Sequence, residues 1–194
     1  MNLNFLHCLE SFEQDECQKR IQSYKILLQK YNSIHNLTQI KNINQNIQDS
    51  LEILNFVDFT QAKDIIDIGS GAGFPAVFLS FILNANFHLF EPNAKKAAFL
   101  RMVKIECALE HLYIHKEKIQ ECTNLKADII TSRAFMHTKA VIQLCKNITK
   151  QNSIIILWKG SQVYDEIQSL NNYELFERMF GKYCVIKDIH AKRE

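Results

Sequence analysis

Nowhere in the 194 residues does an apolar run reach the roughly 18 that a membrane-spanning helix requires, so neither a span nor a membrane partner is expected. The stretch from Met1 to Glu16 is acidic and lacks the basic-then-apolar order of a secretory signal, which points to a cytoplasmic location. Six cysteines are present, but none forms a Cys-x-x-Cys pair. They read as reduced, mostly buried thiols rather than as a disulfide framework or a zinc site. The one local grouping, His7-Cys8 with Cys17, is weak as a metal cluster, and no metal is expected. No repeat, low-complexity tract or Pro/Gly/Ser linker divides the chain. With 47% apolar residues it can build one well-packed α/β domain and a small extension, not two full domains. An excess of one charge is missing too: a net +2 neither demands nor excludes nucleic acid.

The distribution of charge says more than its sum. Glu10, Glu13, Asp15 and Glu16 precede Asp64, whereas Lys95, Lys96, Arg101, Lys104, Lys116, Lys118 and Lys126 fall together further on. Such a stretch can track phosphates, although a lysine run taken alone is more often a solvated helix face. Ile21, Tyr24, Leu28 and Tyr31 recur at helical spacing, as do Ile43, Ile47, Leu51 and Leu54. This predicts a helical extension over residues 1–60, packed on a sheet domain over 61–194. From Asp64 the pattern alternates, with strands predicted over 64–68, 86–91, 112–115, 127–131 and 153–158 and helices over 74–83, 93–109, 136–148 and 161–171. A closing hairpin comes last, around Leu175-Phe176 and Tyr183 to Ile186. The expected class is α/β, a doubly wound sheet.

Asp67-Ile68-Gly69-Ser70-Gly71-Ala72-Gly73-Phe74-Pro75 carries the first chemical signal. Here an apolar strand runs into a glycine-spaced turn and then an apolar helix, so that backbone and free N–H groups can approach a ligand closely. Pro75 suits the first helical turn. No Gly-Lys-Ser or Gly-Lys-Thr succeeds it, which excludes a P-loop, and Phe74 stands where a dinucleotide fingerprint needs its third glycine. With an acid two residues before the first glycine, the Gly-x-Gly-x-Gly spacing resembles motif I of the Rossmann-like S-adenosylmethionine (SAM) methyltransferases. Glu91 ends the second strand about 20 residues beyond the turn, where a carboxylate would accept both hydroxyls of a ribose.

The segment after the fourth strand bears on the acceptor. Enzymes that methylate exocyclic amines carry an Asn-Pro-Pro-aromatic run there, and none is present. Pyrimidine C5 methylation needs a cysteine nucleophile in a Pro-Cys or Thr-Cys-Ser context, which Cys145 does not offer. Instead Thr131-Ser132-Arg133-Ala134-Phe135 lies at the carboxyl end of the strand, where α/β ligands gather.

Five segments now stand in order: Tyr31-Asn32-Ser33-Ile34-His35-Asn36-Leu37-Thr38, Gly69 to Pro75, Lys95-Lys96-x-x-Phe99-Leu100, Ser132-Arg133-Ala134-Phe135 and Lys159-Gly160. Together they resemble the bacterial 16S ribosomal RNA guanine-N7 methyltransferase family, also called the glucose-inhibited division protein B family, from about Tyr31 to Lys187. The resemblance implies a Rossmann-like SAM-dependent methyltransferase fold with a mixed seven-stranded sheet, its last strand antiparallel. It implies N7 methylation of one guanine of 16S ribosomal RNA, guanine 527 in the usual ribosomal numbering, within the small subunit or its precursor; a monomer with no DNA partner is expected. Gly69, Gly71, Phe74, Glu91, Ile119, Gln120 and Arg133 would bind the cofactor. Asn36, Lys95, Lys96, Lys159 and Arg133 would face the RNA. Departures exist: the family's Arg-His ahead of Asp49-Ser50 is replaced here, and Gln120 stands for an acid, though it still accepts from the adenine amine. Arg133 can alternatively serve a structural ion pair with Asp67 or Glu91. Guanine N7 has a free lone pair and loses no proton, so alignment, not a general base, would carry the reaction. Two other readings are a methyltransferase with a protein or small-molecule acceptor and a noncatalytic RNA-binding or assembly module.

Overall fold

Ile65, Ile66 and Ile68, all β-branched and at most 1% exposed, form the centre of the fold. The computed structural model describes residues 11–133, 136–168 and 170–187, so the His7-Cys8 grouping and Ala134-Phe135 lie outside the described residues. In chain order the strands are β1 (Asp64–Ile68), β2 (Asn86–Phe90), β3 (Leu112–His115), β4 (Ala127–Arg133), β5 (Thr149–Lys159), β6 (Tyr173–Arg178) and β7 (Gly181–Ile186). They make one sheet in the order β3-β2-β1-β4-β5-β7-β6. The first five strands are parallel, whereas β7 runs antiparallel to both neighbours. The sheet is therefore mixed and seven-stranded, as expected. Strand order reverses between β1 and β4, which opens a crevice at their carboxyl ends.

Helices cover both faces, because successive residues of the central strands point to opposite faces and are apolar on each, as Ile65 and Ile66 are. One face carries Ile65, Phe87 and Leu89 and packs against α1 (Ser11–His35), α2 (Ile43–Leu51), α3 (Ala76–Leu79) and α4 (Ala94–Glu106). The other carries Ile66, Ile68, Ile130 and Ile155 and packs against α5 (Thr138–Cys145) and α6 (Val163–Ile167). The N-terminal helices are fastened to the rest by hydrogen bonds from buried side chains. The Tyr24 hydroxyl donates to Ala72 O at 2.6 Å, and both Trp158 Nε1 and the Tyr183 hydroxyl donate to Asp49 O, at 3.1 and 2.7 Å. Among the described residues no helix is long and apolar enough to cross a membrane. All five described cysteines are free, and Cys145 is buried deeply enough for its thiol to be pushed up to about 12, so it remains protonated and unreactive.

Several boundaries differ from those expected of the sequence. The helix expected over 74–83 shrinks to the four residues of α3, preceded by Pro75 and followed by tight i to i−3 turns at Phe81 and Ile82. Its residues are apolar on every side, so no period marked its end; the Ser80 hydroxyl, donating to Val77 O, sits where it tightens. The helix expected over 161–171 is only α6, and that over 136–148 is only α5. β5 starts four residues before its expected start, at polar Thr149, with a register shift opposite Ala127–Ile129. Polar residues at the end of an extended strand do not show the strand period.

Candidate functional site

The glycine turn closes the carboxyl end of β1. Gly69, Gly71 and Gly73 have φ of 72°, 57° and 98°, a left-handed conformation that side-chain-bearing residues rarely adopt. The N–H groups of Gly69 and Ser70 donate to Phe90 O at 2.9 and 3.2 Å, which binds the turn to the end of β2. A Cβ on Gly73 would sit 2.5 Å from Val77 Cγ2 and 3.1 Å from Leu100 Cδ2. Gly73 thus supplies the close packing that the dinucleotide pattern assigns to the position of Phe74. The expected row of free helix N–H groups does not form, because α3 is one turn long and the Val77 N–H already donates to Gly73 O.

Glu91 is 5% exposed, and its two oxygens each accept one backbone N–H at 2.8 Å, Oε2 from Gly71 and Oε1 from Asn93. A carboxylate oxygen has two acceptor sites, so each retains one for a ligand hydroxyl. This arrangement fixes the carboxylate orientation in advance.

Asp67 is the second buried acid. It is 1% exposed; Oδ1 accepts the Thr131 hydroxyl at 2.6 Å, while Oδ2 has no partner among the described residues. Burial pushes its carboxyl up to about 7; the hydroxyls of Ser70 and Thr131 oppose that rise, and the Glu91 charge adds to it. An unpaired buried carboxylate oxygen calls for a cationic or hydrogen-bond-donating ligand group.

Arg133, at the end of β4, does not pair with Asp67 or Glu91 as the structural alternative supposed. Its guanidinium reaches α2, where Nη2 donates to Asn46 Oδ1 and Nη1 lies 3.4 Å from Asp49 Oδ2, too poorly aligned for a hydrogen bond. The Asp49 side chain is 0% exposed and already accepts Arg178 Nη1 at 2.7 Å on both oxygens. One carboxylate therefore serves two arginines, leaving Arg133 with an unspent donor. The same guanidinium stands 5.6 Å from the ring centre of Phe74, itself packed on Tyr24 and Phe78.

The remaining sequence candidates divide. Ile119 is buried in the cluster that holds Phe90 and Ile68, and Gln120 is exposed beside it in the single turn Ile119–Glu121 that lies beyond β3. Lys95 and Lys96 stand in the first turn of α4, just past Glu91, with their N–H groups capped by Asn93 Oδ1. Asn36 has φ of 47° and ends α1, its N–H donating to Asn32 O. Lys159 has internal partners: its Nζ donates to Glu166 Oε2 at 2.7 Å and to Met136 O at 2.6 Å, with 12% of the side chain exposed. Glu166 is held down at about 2, since burial, which would raise it, is outweighed by bonds from Lys159 and from the Thr138 hydroxyl and N–H. Lys159 is thus committed to joining β5, α5 and α6, and its charge is not free for a phosphate.

Comparison with known proteins decides the relationship. Residues 17–192 match the model of the GidB family, described as rRNA small subunit methyltransferase G. The chain belongs to that family. It is 56% identical, over 92% of its length and 96% of the other, to the Ribosomal RNA small subunit methyltransferase G of Campylobacter jejuni (strain RM1221). Solved structures give the same fold at low identity. An O-methyltransferase from Bacillus cereus in complex with SAH matches at TM-score 0.63 and 14% identity, covering 86% of this chain and 90% of that one. An RNA methyltransferase from Salinibacter ruber in complex with S-adenosyl-L-homocysteine matches at TM-score 0.61 and 12% identity, over 80% and 97%.

This GidB-family chain is a methyltransferase with SAM as its cofactor, and its residues suit that group. SAM carries a ribose diol and an amino-acid end with one cationic and one anionic group. Glu91 keeps two free acceptor sites, Asp67 Oδ2 is an unspent anion, and Arg133 Nη1 an unspent donor. Sequence reasoning placed Asp67 in the motif but gave it no contact with the cofactor. It also missed Asn46 and Asp49, whose arginine partners, Arg133 and Arg178, lie far along the chain and leave no local period.

Proposed function

We propose that the protein transfers a methyl group from SAM to N7 of a single guanine in 16S ribosomal RNA, guanine 527 in the usual numbering. The observation that carries this reading is the relative 56% identical over 92% of the chain, which bears the name of a small-subunit ribosomal RNA methyltransferase. The cofactor supplies an electrophilic methyl on a sulfonium. Glu91 takes the ribose hydroxyls, Asp67 the ammonium, Ile119 and Gln120 the adenine, and Arg133 steadies Phe74 and the carboxylate end. N7 attack releases no proton, so the site has only to align its two partners and bear positive charge as it moves from sulfur to purine. The buried, protonated Cys145 is consistent with direct transfer rather than a covalent enzyme–base intermediate.

On this reading the protein works in the cytoplasm as a monomer on the small subunit or its precursor, with residues 1–60 as an extension on the catalytic domain. Nucleoside mass spectrometry of small-subunit RNA from a deletion strain tests it. Loss of one N7-methylguanosine, restored by the gene, is the expected outcome; a full signal in the deletion strain would overturn it.

A further inference from the structure

A second concavity lies apart from the glycine turn. It is an open groove of about 640 Å³ between the C-terminal half of α1 and the segment Thr38 to Asn44 that leads into α2. That volume falls within the range of about 300–1,000 Å³ usual for ligand clefts. Its lining is mixed: Leu28, Ile40 and Ile43 give an aliphatic floor, and around it stand amides, hydroxyls and two lysines, Lys25 and Lys41, with no acid and no aromatic ring. Among the described residues neither lysine has an ion-pair partner, although Lys150, Lys159, Lys182 and Lys187 are all paired. Asn32 and Asn42 spend their side-chain oxygens on backbone N–H groups, of Thr38 and Gln45, so their amide N–H₂ groups remain as donors. The polar groups of the groove are thus cations and hydrogen-bonding side chains set around aliphatic residues, with no anion among them.

Both walls are tied to the methyl-transfer site. Leu28 lines the groove one turn along α1 from Tyr24, whose hydroxyl donates to Ala72 O in the glycine turn. Asn42 caps α2, and four residues on Asn46 accepts from Arg133. Asn42, at the groove, and Asn46, at Arg133, thus stand one turn apart on the same helix.

We propose that the groove holds the single-stranded RNA that flanks the target guanine, gripping phosphates with Lys25 and Lys41 and riboses with the amides. The absence of an aromatic platform means that bases are not stacked there, so the grip is on the backbone and independent of sequence. This rests on the RNA reading above. The test compares Lys25→Glu/Lys41→Glu with the parent for methyl transfer to small-subunit particles from the deletion strain, and for binding of deproteinised small-subunit RNA across a salt series. Removing two phosphate contacts raises KM for the RNA about tenfold and flattens the slope of log K against log salt by about 1.4, while kcat and SAM affinity hold. Lys25→Arg/Lys41→Arg retains parental behaviour. Parental KM and salt slope in the charge-reversed protein, with SAM binding intact, would overturn the groove alone. A loss on particles with unchanged binding to bare RNA would assign the groove to a ribosomal protein and overturn the proposal. A parent that methylates no small-subunit RNA would overturn both readings.

Discussion

Asp67 combines burial, a single side-chain hydrogen bond and an unpaired oxygen, and each has a consequence for binding. Its ordinary value is 3.8 and its folded value about 7, so between those limits the folded cofactor-free protein keeps a proton that the unfolded chain releases. Stability of that form therefore falls as pH rises from about 4 to about 7, and is level above. Asp67→Asn removes the titration. At pH 8 the substituted protein is expected to be about 1–3 kcal/mol more stable than the parent without SAM, and the difference should vanish near pH 4, as read by urea unfolding. SAM affinity should move the other way, falling about 10- to 100-fold with the loss of a charged partner. If Asp67 holds the ammonium as proposed, SAM binding in the parent needs the ionised carboxylate, and calorimetry should show weaker binding as pH drops from about 7 to 5.5, together with proton release. A pH-independent Kd would remove Asp67 from the cofactor's ammonium.

The helix α2 is held down by what Asp49 does, and this is where sequence and structure part company most. Strand composition, the glycine spacing and the antiparallel last hairpin were all legible, because each is a local pattern: β-branched runs, a turn that only glycine permits, and an apolar alternation. The Arg133–Asp49–Arg178 arrangement was not. It joins a helix, a central strand and a hairpin through residues far apart in sequence, and a lone Asp-Ser pair carries no mark of such partners. The same holds for Lys159, which read as a surface cation by its motif and is an internal tie to Glu166 by its contacts. Replacing Asp49 by Ala leaves two guanidinium groups together without their carboxylate. The expected loss is about 3–5 kcal/mol of stability. Because α2 also positions Arg133 over Phe74, SAM affinity should fall as well, and a protein that keeps both its melting temperature and its SAM affinity would refute the assignment.

Across the molecule, the sheet brings two kinds of pH behaviour to one crevice, and they separate cofactor binding from chemistry. On the proposed reading, cofactor capture depends on the Asp67 carboxylate, which burial pushes up to about 7. Transfer to a purine nitrogen with a free lone pair depends on no proton transfer at all. Steady-state rates should therefore divide: kcat/KM for SAM rises with pH up to about 7 and then levels, while kcat at saturating SAM and RNA varies by less than about twofold from pH 6 to 8. The Asp67→Asn protein should lose the first dependence and keep the second. If instead kcat itself followed a single ionisation near neutrality and Asp67→Asn abolished it, Asp67 would be acting as a base on the acceptor. An amine or hydroxyl acceptor would then fit better than guanine N7, because only those must shed a proton as the methyl arrives.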